Sequence, residues 1–304
     1  MIRKAAVAGR FYPGSSHSLT EIIEQCYKDR SFGPGSIPDY KQTDDMIVIG
    51  GIVPHAGYVY SGAGAAFTVS ELFNKGIPNT VIIFGTTHTG YRGIATMIDG
   101  SWMTPLGEAK IDGDFAKKIV ELGIAKDDPS AFIGSFHSGE HNIEVQIPWI
   151  QHAAKIANQP VFIIPIALGI FDFNKIEKFA VGLSDVLKST IESGKAVKIL
   201  ASSDMTHKEI SNSFKPQAEV NEAKQADGKV IEAIQAMYPR AVFEWSEKTT
   251  VCGPQTITAL TIIAKTLGYT NPKILKHYTS FEKMGSKPPC DYSVGYLSAV
   301  FEKP

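Results

Sequence analysis

The sequence predicts an α/β fold: one domain over residues 1–304, built on a mixed, mostly parallel β-sheet with helices on both faces. Two observations predict the class. Apolar, β-prone runs alternate with stretches of helical period in the order βαβα along most of the chain. Three of these runs end in a short polar turn that carries a histidine: MIVIGGIVPHAGY around His55, TVIIFGTTHTG around His88 and VKILASSDMTH around His207. Apolar runs bounded by Gly or Pro mark strands buried on both faces. In such sheets the ligand crevice lies outside the carboxyl ends of the strands, so the three histidines should converge although they lie far apart in sequence. A metal site or an acid/base site is therefore expected. Taken singly, each residue is equally explained as a hydrogen-bonded loop histidine.

The elements follow in order. Residues 17–30 carry Leu19, Ile22, Ile23, Cys26 and Tyr27 at helical spacing, with Ser18 placed to cap and Cys26 in the core. A Gly/Pro-rich loop leads into the first histidine-bearing strand. Ser61 can cap a helix through AGAAFTVSELFN, stopped at Gly76, before the strand that ends at His88. A helix near 113–122 finishes at Gly123, and 140–156 reads as a helix bent or interrupted at Pro148. PVFIIPIAL is another buried strand. Asp172 then caps an amphipathic helix with Ile176, Phe179, Leu183 and Leu187, which leads to the third histidine-bearing strand. Helices over 217–237 and 255–267 follow. KILKHYTSF and YSVGYLSAVF should pair as an antiparallel edge.

Composition narrows the function classes. The chain has 304 residues, 43% hydrophobic and 20% charged, enough for a substantial core. A net charge of −1 with interspersed signs gives no footprint for nucleic acid or an anionic membrane. The N-terminal segment is too broken by Gly and Pro for a signal peptide, and no run reaches the ~20 apolar residues of a membrane span. Cytoplasmic location is expected by default. Three cysteines without a CxxC pair read as free thiols. Neither GxGxxG nor GxxxxGK[ST] occurs. Gly62-Ala63-Gly64 lacks the third glycine of a dinucleotide loop and comes too late.

Several side chains could carry chemistry. Pro54 and Gly57 bracket His55 and would fix its direction, while the glycines around His88 permit close approach to the backbone. Cys252 precedes Gly253-Pro254 and a helix, where the dipole favours thiolate; a small buried side chain is the alternative. Two imidazoles and a thiolate suit iron, copper or zinc and not magnesium or calcium. Asp204 and His207, three apart, would share one side of a helical turn starting near Ser203, with the carboxylate orienting the imidazole; alternatively Asp204 caps the turn. HSGEHNIE gathers His137, Glu140, His141 and Glu144, and His141 can line a cleft. His17, His137 and His152 read as surface residues, and His277 as structural within an edge strand.

These residues lie in blocks that resemble the Memo family in family order: RKAAVAGRFYP, VPHAGYVYSG, GTTHTG, GEHNIEVQIPW, SSDMTH, VCGPQTI and YSVGYLSAVF. The resemblance covers almost the whole chain. It implies a fold similar to class III extradiol dioxygenases, non-haem iron enzymes that cleave catechol rings. It also implies that His55, His88 and Cys252 take the metal-ligand positions, while His141, Asp204 and His207 line the same pocket. His207 stands at the place of the acid/base histidine. Cys252 stands where the dioxygenases have a carboxylate, which moves metal preference towards copper or zinc and alters iron's redox behaviour. Eukaryotic members are linked to cell motility signalling and to copper or redox handling. Microbial members are often encoded beside a radical S-adenosylmethionine protein. Three functions are thus in view: a metal-dependent oxidoreductase, a non-catalytic module binding metal or a small-molecule or peptide ligand, and a thiol hydrolase with Cys252 as nucleophile.

Overall fold

The computed structural model describes residues 1–40, 47–122 and 139–304. His137 and the expected helix stop at Gly123 lie outside them. The described elements begin with β1 (Ile2–Arg3), α1 (Ser16–Lys28), β2 (Val48–Val53), α2 (Tyr58–Asn74), β3 (Thr80–Gly85) and β4 (Gly93–Thr96). Next come β5 (Ser101–Thr104), β6 (Gly107–Lys110), α3 (Gly113–Val120), α4 (Ile147–Ile156), β7 (Phe162–Gly169) and α5 (Phe173–Glu192). The chain continues with β8 (Val197–Ser202), β9 (His207–Glu209), α6 (Gln217–Gln235), α7 (Pro239–Glu247) and α8 (Pro254–Thr266). It closes with β10 (Asn271–Thr279), α9 (Ser280–Lys283) and β11 (Tyr292–Glu302).

The runs read as doubly buried strands are buried along their length: every residue of β2, β3 and β8 is inaccessible. They form the middle of a mixed sheet in the order β10-β11-β2-β8-β3-β7-β4. β2, β8, β3 and β7 are parallel, while β11, β10 and β4 pair antiparallel at the margins. The two C-terminal strands thus supply the antiparallel edge expected of them. Two glycines in β2 show how closely helices cover both faces. A Cβ on Gly50 would lie 2.9 Å from Leu260 of α8, and one on Gly51 would lie 2.6 Å from Thr68 of α2. A separate three-stranded sheet, β1-β5-β6, had no counterpart in the sequence reading because its strands have two to four residues.

Several local expectations are corrected. Ser15 caps α1 by accepting the Ser18 N–H, so Ser18 lies inside the helix. α2 starts at Tyr58, which leaves Ser61 within its first turns donating to Ala56 O. Gly76, with φ 102°, provides the left-handed residue just after that helix. Pro148 opens α4 rather than bending it, following a 3₁₀ turn at Glu144–Gln146. His152 is buried (4% exposed) and stacks on Tyr27 at 5.9 Å, so it is not a surface residue. Gly62 and Gly64 serve packing: a Cβ on the former would sit 2.6 Å from Cys26 Sγ. His277 lies in edge strand β10 and bonds Asp227 at 2.8 Å, a structural role as expected.

Candidate metal centre

β2, β8 and β3 are adjacent and parallel, so their carboxyl ends stand side by side. His55 follows β2 by two residues, Asp204 follows β8 by two, and His88 follows β3 by three. Cys252 enters the same place from the residue before the Gly253 cap of α8. A Cβ on Gly253 would lie 2.9 Å from the Ser203 side chain, so glycine lets the cysteine turn meet the end of β8. His55, His88 and Cys252 then offer ligand atoms that all lie within 4.8 Å of one another and could hold a metal ion. Two imidazoles and a sulfur at that spacing fit a soft or borderline transition metal in their donor chemistry.

The hydrogen bonds fix which nitrogen of His55 is turned towards Cys252. Gln146 Nε2 lies 2.9 Å from Pro54 O and 3.0 Å from Ser202 Oγ, and its two protons serve these two acceptors. Ser202 Oγ has one proton, which goes to Asn142 O at 2.7 Å. The Ser202 oxygen can then only accept from His55 Nδ1, at 3.1 Å. This leaves Nε2 bare, and it faces Cys252 Sγ at 3.1 Å. Without metal, the thiol proton bridges sulfur to imidazole; a metal ion would displace it. Burial, followed by the neighbouring rings of His141 and His88, holds the His55 pKa well below its ordinary value, which keeps the ring neutral.

His88 and His141 share Glu140, whose side chain is almost fully buried. Its carboxylate lies 2.9 Å from His88 Nδ1 and 3.2 Å from His141 Nδ1, and it also accepts the backbone N–H of each residue. Burial alone would raise this carboxyl's pKa, but the bonds from His141 and His88 outweigh it and hold the group well below the usual range. The His88 and His141 rings stack at 4.7 Å, and each meets the His55 ring edge-on at 5.5 Å. One turn further on, buried Glu144 accepts from Arg3, Tyr12 and the backbone of Ala6 and Val7. Arg3 also donates to Glu140 O at 2.8 Å. The N-terminal segment therefore braces the loop that carries Glu140 and His141.

Two expectations fail here. Residues 203–206 form no helix, and among the described hydrogen bonds none joins the Asp204 carboxylate to the His207 ring. Asp204 Oδ1 instead accepts the His55 N–H at 2.7 Å. Burial pushes the Asp204 pKa up to about 7, against the opposing backbone bonds from His55 and Ala56. His207 pairs through Nδ1 with the Tyr292 hydroxyl at 2.8 Å, while its buried Nε2 has no hydrogen-bond partner. The antiparallel pairing of β9 with β11 sets Tyr292 near it. The second failure concerns Cys252. Burial and the Asp204 carboxylate raise its thiol pKa well above the ordinary value, overriding the helix start. The helix start therefore does not by itself supply a thiolate.

Ser202, Gln146 and Tyr292 were absent from the sequence reading. Gln146 sits in the GEHNIEVQIPW block, and Ser202 immediately precedes the SDMTH turn, so position along the motif was the available signal.

The model of the Memo family, described as Memo-like protein, matches residues 3–300. A MEMO1 family protein of Methanopyrus kandleri is 35% identical over 310 residues, covering all of both chains. Another, from Thermococcus onnurineus, is 36% identical over 312 residues, again covering all of both chains. A third, from Thermotoga petrophila, is 34% identical over 304 residues and 99% of each chain. On these matches, spanning the whole fold and every site residue above, the chain belongs to the Memo-like protein family.

Proposed function

We propose that this Memo-like protein binds a transition metal through His55, His88 and Cys252, iron or copper first and zinc next, and acts as a metal-dependent oxidoreductase of extradiol-dioxygenase type. The observation that carries the reading is the three donor atoms within 4.8 Å of one another, with both imidazoles held from behind by Ser202 and Glu140. Such backing is what metal-ligating histidines require. A bound ion would supply Lewis acidity and, for iron or copper, electron transfer.

The chain's own residues supply the rest. His207 Nε2, buried and unpartnered, is free to take a proton from a ligand in the cleft. Burial, followed by the neighbouring His88 ring, lowers its pKa, which keeps it an available base near neutrality. Tyr292 steadies the opposite nitrogen. His141 lines the cleft, and Asp204 holds the His55 backbone. The occupant is a small molecule or peptide. A functional link to a radical S-adenosylmethionine protein and a cytoplasmic location rest on the family resemblance and composition. Among the described residues no helix is long and apolar enough to cross a membrane.

Anaerobic reconstitution with Fe(II), followed by oxygen uptake across a catechol panel, tests the oxidoreductase reading. Metal-dependent uptake supports it. Tight, stoichiometric metal without uptake favours the second reading, a non-catalytic binding module. That alternative is motivated by the donor set itself, whose third member is a thiol while Asp204 is engaged with backbone.

A further inference from the structure

We infer that Glu140 is a positioning residue that locks His88 and His141 in one tautomer, so that a single carboxylate presents two bare Nε2 atoms to the cleft. One is for the metal and the other is for the proton-bearing group of whatever molecule lies beside it. The inference rests on the metal-site reading for the His88 half.

The argument is one of donor and acceptor inventory. An ionised carboxylate can only accept, and a neutral imidazole has one donor and one acceptor nitrogen. Glu140 Oε1 is hydrogen-bonded to His88 Nδ1 at 2.9 Å and lies at ion-pair distance, 3.2 Å, from His141 Nδ1; a lone pair on either nitrogen would face the carboxylate's own, so each Nδ1 carries its ring's proton. The backbone N–H groups of His88 at 2.8 Å and of His141 at 2.9 Å aim at the same carboxylate, which fixes it as an acceptor on both oxygens. A competing contact exists: Asn142 Nδ2 lies 3.3 Å from His88 Nδ1. It is longer than the carboxylate bond, and only the carboxylate, which cannot donate, requires a proton on the ring nitrogen; one of the two amide protons goes to Thr86 O at 2.8 Å. Both rings therefore end in a lone pair at Nε2.

The two lone pairs have different uses. His88 falls in the His55 and Cys252 group. His141 falls outside that group; it joins His88 and Glu140 in a second group of possible ligand atoms, where the Nδ1 contacts of both rings to Glu140 account for the closeness. The His141 ring is wedged between Phe11, at 4.6 Å, and His88, at 4.7 Å, and it retains 23% side-chain exposure. A fixed, partly exposed acceptor next to a metal position selects ligands that bring an acidic O–H or N–H to it. A molecule with only acceptor atoms there would leave His141 facing a like lone pair.

Histidine-ring ¹⁵N NMR on the metal-free protein reads the tautomers directly, and Co(II) titration reads the metal half. In the wild type both rings should be Nδ1–H. In Glu140→Ala the acceptor that faces both Nδ1 atoms is removed; the single tautomer should be lost at both rings together, and Co(II) affinity should fall about 10–100-fold. His141→Phe should leave the His88 tautomer and Co(II) binding intact. Nε2–H rings in the wild type, needing no variant to fold, would overturn the inference, and so would unchanged tautomers in Glu140→Ala. A wild type with the expected tautomers that takes up no Co(II) would instead sink the metal-site reading.

Discussion

Replacing Ser202 with alanine removes one oxygen from the centre of a buried relay, and the geometry says what is then orphaned. The hydroxyl accepts from His55 Nδ1 at 3.1 Å and from Gln146 Nε2 at 3.0 Å, and donates to Asn142 O at 2.7 Å. All four residues are buried, so water does not replace the lost partner without opening the site. Each buried polar group left unpaired costs about 1–3 kcal/mol. Gln146 keeps its bond to Pro54 and the carbonyl tolerates the loss best, so the His55 and Gln146 donors dominate. A destabilisation of about 2–4 kcal/mol follows. The loosened ring should also lower metal affinity about 10–100-fold. Equilibrium urea unfolding of the metal-free protein measures the first effect, with an unchanged m-value as the check that only stability moved. A loss below about 0.5 kcal/mol, the scale of an ordinary surface change, would refute the relay and with it the assigned His55 tautomer.

Other outcomes follow from the same structure. A Cβ at Gly85 would lie 2.1 Å from Asn142 Oδ1 and 2.4 Å from Ile143, so Gly85→Ala should cost about 1–3 kcal/mol in a urea melt; near-neutrality would mean the His88 and Asn142 loops are not packed as described. Iodoacetamide should modify Cys252 sluggishly at neutral pH in the metal-free protein, because burial and Asp204 raise its pKa; rapid labelling followed by mass spectrometry would contradict this. Asp112 is buried, caps α3 and is paired with Lys195 and Thr80; burial would raise its pKa, but those bonds lower it overall. Its folded pKa lies below its unfolded value of about 3.9, so its contribution is complete above that pH and is lost as pH falls through the folded value. The stability gap between wild type and Asp112→Asn should be present at neutral pH and close in acid; a gap independent of pH would count against the ion pair.

The sheet and its site were legible to different degrees. Apolar runs, broken in β8 by the buried Lys198, identify β2, β3 and β8 because a strand buried on both faces shows no regular polar alternation to confuse it with a surface element. The convergence of His55 and His88 then follows from the position of ligand crevices in parallel sheets, while His207 joins neither group of possible ligands. Cys252 was recognisable from the Gly-Pro helix start, but its protonation was not. The dipole is a local property of sequence, whereas burial and the Asp204 carboxylate are supplied by residues 48 positions away. The pairing of Asp204 with His207 failed for a related reason. Spacing of three implies a shared face only in a helix; residues 203–206 form none, and β9, paired with β11, places His207 beside Tyr292. The N-terminal block carried no visible purpose until Arg3 and Tyr12 were seen to hold Glu144.

Elemental analysis of protein purified without an affinity tag, set beside the Cys252→Ala variant prepared identically, tests the central claim most directly. The His/His/Cys centre predicts near-stoichiometric iron, copper or zinc in the wild type and its loss, or a large fall, in a variant that still folds. A wild type that takes up no transition metal even after reconstitution, or a variant that holds it undiminished, would contradict the claim.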